Sequence, residues 1–189
     1  MRIVSGEFRG RTLHAPPGQA TRPTSDRARE SIFNILEHAP WADGLRSKRV
    51  IDLFAGSGAL GFEALSRGAA FCLFVETDEA ARGAIRENVD ALGGLFGKTR
   101  VHRRDATDLG VKPGADGPAF DVAFLDPPYA KGLGEIALAK LAAGGWLAPG
   151  ALVMFERGVS ETAFSVEGFE PLDTRDYGAA RGHFLRFES

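Results

Sequence analysis

Asp126-Pro127-Pro128-Tyr129 follows directly on the apolar run Phe120-Asp121-Val122-Ala123-Phe124-Leu125, so a carboxylate stands where a strand would end and a stiff loop begin. Neither proline carries a backbone N–H and both restrict the chain before them, so carbonyls here can be held outward as acceptors beside a rigid acid. An exocyclic amine of guanine or adenine needs such acceptors for its N–H groups, and the Tyr129 ring can stack on the attached base. An aromatic amine is a poor nucleophile because its lone pair is delocalised. Asp126 and the Pro127 carbonyl would orient it and favour the positive charge that develops on nitrogen during attack. Asp126, Pro127 and Tyr129 are therefore the candidate catalytic residues; the plain alternative is a rigid turn with no chemistry.

A second constellation lies upstream. Val50-Ile51-Asp52-Leu53-Phe54-Ala55-Gly56-Ser57-Gly58-Ala59-Leu60-Gly61 places an acid near a strand end and three glycines through a turn into a helix. Glycines let backbone approach a ligand closely, and the first N–H groups of a helix receive polar ligand atoms. No Lys-Ser/Thr pair follows the glycines, which disfavours a phosphate-loop NTPase. The Asp52 carboxylate would repel a pyrophosphate and suits an ammonium, or a water beside one. S-adenosylmethionine has an ammonium, a sulfonium and no pyrophosphate. Glu76 follows the next apolar run 20 residues after Gly56, a spacing suited to gripping ribose hydroxyls, and Asp105 follows Val101-His102-Arg103-Arg104, where it could accept from an adenine amine. Each acid alone could be a solvent-facing strand end.

The elements needed to place these groups read as strand followed by helix from residue 49 onward. Val50–Phe54, Phe71–Glu76, Lys98–Arg103, Asp121–Leu125 and Ala151–Glu156 are strand candidates, with helices over Ala59–Ser66, Glu79–Leu92 and Glu135–Ala143. Apolar runs without alternation suit strands covered on both faces, so a doubly wound, Rossmann-like α/β sheet is expected. Phe169–Leu172 and His183–Phe187 would add antiparallel strands. Ile3–Leu13 alternates between glycine breaks and suggests a short β-hairpin, and Thr24-Ser25-Asp26 can start a helix to about His38 with Ile32, Phe33, Ile35 and Leu36 buried. Gly110–Pro118 reads as an exposed loop.

Composition narrows the partners. Hydrophobic residues make up 44% and charged residues 25%, which argues against a largely disordered chain, and 189 residues suit one α/β core with a short appendage. No apolar run is long enough to span a membrane, the first residues resemble no signal peptide, and a cytoplasmic monomer is expected. Cys72 sits in an apolar run and reads as a buried thiol, and with four scattered histidines no metal is expected. Net charge is −2, but residues 1–29 hold six arginines against Glu7 and Asp26, and 98–104 add four cations without an acid. Such clusters could meet phosphate or form a solvated face.

Asp126-Pro127-Pro128-Tyr129 with Asp52-Leu53-Phe54-Ala55-Gly56-Ser57-Gly58 upstream resembles the pattern of Rossmann-type amino-methyltransferases. Arg22-Pro23-Thr24-Ser25-Asp26-Arg27-Ala28-Arg29-Glu30-Ser31-Ile32-Phe33-Asn34, with Gly6-Glu7-Phe8-Arg9-Gly10, resembles more specifically the bacterial 16S ribosomal RNA guanine-N2 methyltransferases of the RsmD family, over nearly the whole chain. That resemblance implies S-adenosyl-L-methionine as cofactor and S-adenosyl-L-homocysteine as product. It implies Asp52, Phe54 and Gly56-Ser57-Gly58 beside the cofactor's amino-acid part, Glu76 at its ribose, Asp105 and Ala106 at its adenine, and Asp126 between cofactor and base. The partner implied is 16S ribosomal RNA in the small ribosomal subunit or its assembly intermediate. Residues 1–40 would form a hairpin-and-helix element covering cofactor and RNA, with Arg9, Arg11, Arg22, Arg27 and Arg29 toward phosphates, and residues 41–189 the methyltransferase domain. Tyr129 fills a position that some relatives give to phenylalanine. A DNA adenine-N6 methyltransferase and a non-catalytic RNA-binding ribosome-assembly protein are the competing readings.

Overall fold

The computed structural model describes residues 1–18 and 24–188. Five parallel strands, β1 (Arg49–Leu53), β2 (Phe71–Val75), β3 (Thr99–His102), β4 (Phe120–Leu125) and β5 (Leu147–Gly158), and two further strands, β6 (Phe169–Tyr177) and β7 (Ala180–Phe187), form one sheet in the order β3-β2-β1-β4-β5-β7-β6. β7 runs antiparallel between β5 and β6. The chain winds outward from β1 through β2 to β3 and returns with β4 beside β1. That reversal leaves a crevice at the carboxyl ends of β1 and β4, where open α/β sheets take their ligands.

Among the described residues four helices cover the sheet: α1 (Asp26–His38), α2 (Ala59–Ser66), α3 (Glu79–Leu92) and α4 (Leu133–Ala143). Side chains alternate between the faces of each strand. Val50, Phe74, Val122, Phe124 and Met154 point into one layer with Ile32, Phe33 and Leu36 of α1, Phe62 of α2 and Ile85 of α3. Ile51, Leu53, Ala123, Leu125, Val153 and Phe155 point into the other, with Ala137, Leu138 and Leu141 of α4 and Trp146. Both faces are thus dry, as the unbroken apolar runs require. Cys72 is a buried free thiol in the first layer. No helix among the described residues is long and apolar enough to cross a membrane.

Helix boundaries follow their caps. Ser25 accepts from the Ala28 N–H and starts α1, and Asp78 accepts from the Ala81 N–H and starts α3. Four expectations change. Ile35 is half-buried rather than fully covered. The amino-terminal hairpin reduces to one antiparallel bridge, Arg2 with Thr12. Its backbone is taken elsewhere: Glu63 accepts from Val4 and Ser5 N–H, and Ser66 accepts from Glu7 N–H through its carbonyl and from Phe8 N–H through its hydroxyl. Ile3, Phe8 and Leu13 enter the first layer, so the segment is docked on α2 instead of forming a ladder. The 110–118 loop is partly packed, because it carries a short 3-10 turn (Gly114–Asp116) whose Asp116 is buried and ion-paired with Arg100. Strands β5, β6 and β7 are longer than their apolar stretches because pairing continues through polar residues on the antiparallel side, and β5 also begins early, with Leu147 opposite Phe120 of β4.

Candidate active site

At the crevice lies a cavity of about 630 Å³, within the roughly 300–1,000 Å³ of small-molecule sites. Its floor comes from the turn after β1 (Phe54, Gly56), the end of β2 (Val75, Glu76, Thr77) and the loop after β3 (Arg104 to Thr107). Its other wall comes from the loop after β4 (Asp126 to Tyr129), Leu133 and Glu156 of β5. The glycine turn and the Asp-Pro-Pro-Tyr loop, 70 residues apart in sequence from Gly56 to Asp126, therefore share one space.

The turn is built for this approach. Phe54 adopts φ +56°, a left-handed conformation that costs a non-glycine residue of order 1 kcal/mol, and its side chain lines the cavity. Gly58, at φ +81°, starts α2, and a Cβ there would come within 2.7 Å of Phe62. Glu76 accepts from the Gly56 N–H at 2.8 Å through one oxygen and from the Asp78 N–H at 2.9 Å through the other, which fixes its carboxylate beside the turn. Asp105 accepts from the hydroxyl and the N–H of Thr107, and these bonds hold its carboxyl below the usual range. Asp52 is buried under the turn, accepts from the Gly61 N–H at 3.0 Å and does not line the cavity. Burial pushes its carboxyl well above the usual range, and like charge from Asp126 and Glu76 adds to this. Ser57 and Gly58 also lie off the cavity wall; the Ser57 carbonyl accepts from buried Asn88, whose side chain also exchanges two hydrogen bonds with the His14 backbone.

Across the cavity, burial and the negative charge of Glu156 push Asp126 up to about 8. Glu156 is buried and was not among the residues expected from sequence. It accepts from the Tyr129 hydroxyl in a short hydrogen bond and from the Thr24 hydroxyl at 3.3 Å. The signal was present, since Glu156 closes the apolar run of β5 as Glu76 closes that of β2. Among the described residues, four acids, Glu76, Asp105, Asp126 and Glu156, thus line the cavity against one cation, Arg104. Such a lining repels phosphate and suits a ligand carrying ammonium and sulfonium charge, so the residues present fit S-adenosylmethionine. Among the described residues no cluster of three or more His, Cys, Asp or Glu could hold a metal ion.

The arginines expected to meet RNA are dispersed. Arg22 lies outside the described residues. Arg27 is exposed in the first turn of α1, on an open groove shared with His38, Trp41 and Arg175. Arg9 and Arg11 are exposed on the docked amino-terminal segment; its Glu7–Phe8 stretch binds Ser66, at the end of α2 remote from the glycine turn, and Arg11 donates to the Ala91 carbonyl near the end of α3. Arg29 is fully buried, pairs with Asp26 and donates to the Arg2 carbonyl at 2.7 Å. A phosphate role for Arg29 is corrected to a structural one: it is an internal cation that fastens the amino-terminal segment to α1, and burial lowers its pKa.

A reversing α/β sheet with an antiparallel β7, whose crevice joins an acid-flanked glycine turn to an Asp-Pro-Pro-Tyr loop, is that of a Rossmann-like S-adenosylmethionine-dependent methyltransferase. The sequence matches the family model described as Conserved hypothetical protein 95 over residues 1–186. It is 35% identical over 178 residues to the Ribosomal RNA small subunit methyltransferase D of Haemophilus influenzae, covering 94% of this chain and 89% of that protein. To the protein of the same name from Escherichia coli K12 it is 38% identical over 156 residues, covering 82% and 74%. The solved structure of yhhF from Escherichia coli matches with a TM-score of 0.85 at 33% identity, over 100% of this chain and 98% of that one. The chain belongs to the family of these small subunit methyltransferases D.

Proposed function

We propose that the chain methylates the exocyclic N2 of a guanine in 16S ribosomal RNA, within the small ribosomal subunit or its assembly intermediate in the cytoplasm. The observation that carries this reading is the shared cavity of the glycine turn and the Asp126–Tyr129 loop. The relatives named for the small ribosomal subunit support the choice of RNA. S-adenosylmethionine supplies a methyl group on a sulfonium, whose sulfur keeps the electron pair of the breaking C–S bond. Glu76 would receive the ribose, Asp105 and Ala106 would border the adenine, and Phe54 and Gly56 would line the space of the amino-acid part. Asp52 acts beneath them by fixing the start of α2 through Gly61.

Asp126 and the Pro127 carbonyl accept from the N2 amine and point its lone pair at the methyl, while Tyr129 stacks on the base. The new N–C bond places positive charge on N2, which Asp126 and Glu156 stabilise before N2 loses a proton to Asp126 or water. The carboxylate form of Asp126 is the competent one. Its proton leaves when cationic ligand enters, since a positive charge nearby lowers a carboxyl pKa. Arg22 and Arg27 contact phosphates of the RNA, and Arg9 and Arg11 reach it at a distance from the cavity. The base must be turned out of its surroundings to enter.

The test is transfer of labelled methyl to unmodified small subunits, free 16S RNA and adenine-containing DNA in parallel, followed by nucleoside mass analysis. N2-methylguanosine from the ribosomal substrate is the expected product. N6-methyladenine from DNA, or no product with cofactor bound, overturns the reading.

A further inference from the structure

Glu156 has the position of a group that reads the base rather than one that only supports the loop. It lines the same cavity as Asp126 from the adjacent strand β5, and its residue is only 6% exposed. Among the described residues no Lys, Arg or His forms an ion pair with it, and no backbone N–H reaches its side chain, whereas Glu76 accepts from the Gly56 and Asp78 N–H and Asp105 from the Thr107 N–H. Its two contacts, the hydroxyls of Tyr129 and Thr24, use one lone pair on each oxygen and leave acceptor capacity on both. A buried carboxylate so placed needs N–H donors or positive charge from whatever fills the cavity.

Guanine supplies such a donor beside its N2 amine: the adjacent ring atom N1 carries a hydrogen. Adenine presents the opposite polarity, with an N1 acceptor next to its N6 amine. A carboxylate that receives N1–H therefore accepts guanine and repels the lone pair of adenine N1, while a second acceptor group handles the amine. Two acceptors are needed in adjacent positions, and the cavity has them in Asp126 and Glu156. The like charge they impose on each other is what a base edge with adjacent N–H donors relieves.

Resting on the guanine-N2 reading above, we infer that Glu156 is the specificity-determining residue, accepting from guanine N1–H while Asp126 and Pro127 hold the N2 amine. Tyr129 and Thr24 are its positioning partners. The discrimination is against purines that have an amine at C2 but no hydrogen on N1, and against adenine.

The experiment uses the full chain and small subunits reconstituted with RNA carrying either guanine or 2-aminopurine at the methylated position. 2-Aminopurine retains the C2 amine and lacks N1–H. With the wild-type chain, kcat/KM for guanine exceeds that for 2-aminopurine by at least about tenfold, the loss expected when a hydrogen bond to a charged group is replaced by an unpaired acceptor. Glu156→Gln offers an amide N–H to the N1 acceptor, so the ratio falls below about threefold and the 2-aminopurine rate rises in absolute terms. Tyr129→Phe removes the hydroxyl that braces Glu156 and slows both bases with less change in ratio. Where Glu156→Gln fails a thermal-unfolding check, Glu156→Asp replaces it, with the ratio reduced because the carboxylate is withdrawn by one methylene. A wild-type chain indifferent to the two bases, or a variant that keeps the wild-type ratio, overturns the role of Glu156 while leaving guanine methylation standing. Absence of methylation on the guanine substrate itself overturns the underlying reading instead.

Discussion

Asp126 carries two separable consequences of its surroundings. Its folded pKa, about 8, lies above the ordinary carboxyl value, so the folded chain keeps a proton that the unfolded chain releases on the way from acid to neutral pH. The stability from this group is fully present below the unfolded pKa and is lost as pH rises through about 8. Asp126→Asn, which cannot ionise, is expected to raise Tm by a margin that grows from mildly acidic pH up to about 8 and then levels off; a margin that shrinks with rising pH contradicts the assignment. Under the proposed mechanism the same substitution leaves a neutral amide oxygen toward the amine but removes the negative charge that favours the charge developing on nitrogen. Transfer should fall at least about a hundredfold, as for loss of one oriented electrostatic group, with cofactor Kd changed by less than about tenfold. Cofactor binding near pH 7 should also release protons, read as a binding enthalpy that varies with the ionisation enthalpy of the buffer.

The elements set these groups in place through contacts that leave no room for a methyl. A Cβ on Gly134, in the first turn of α4, would lie 2.1 Å from the Phe155 ring and 3.1 Å from Pro127. Gly134→Ala should therefore push α4 away from both and cost about 1–3 kcal/mol by overpacking, seen as a lower urea midpoint together with reduced transfer. Elements were legible where local rules decide them. Ala59–Ser66 and Glu79–Leu92 fall where the glycine start and the Asp78 cap place them. Elements decided by distant partners were not. The Ile3–Leu13 alternation looks like a hairpin, and only the position of Glu63 and Ser66 explains why its N–H groups turn to α2. Arg29 sits among charged neighbours on an amphipathic helix and reads as solvated, because the carbonyl that captures it belongs to Arg2. Glu156 was overlooked because its value depends on β5 pairing beside β4, a neighbour relation that no single strand discloses.

At the scale of the molecule, a net charge of −2 and dispersed arginines would give only a modest electrostatic hold on the RNA proposed as substrate. Affinity should come from fit to a folded ribosomal surface more than from counterion release, so the salt dependence of binding should correspond to only a few phosphates. Arg27→Ala should weaken binding to small subunits and reduce the salt slope by about 1, whereas Arg9→Ala, at the remote end of α2, should change transfer little. Filter binding across a salt series reads the first, and methyl transfer at saturating small subunits reads the second. The Asn88 side chain gives the molecule one more property, because it grips the His14 backbone and the Ser57 carbonyl at once. One side chain thereby ties the glycine turn to the segment around His14. Amide hydrogens near His14 should exchange more slowly with deuterium when cofactor is present, and Asn88→Ala should uncouple that protection from occupancy of the crevice.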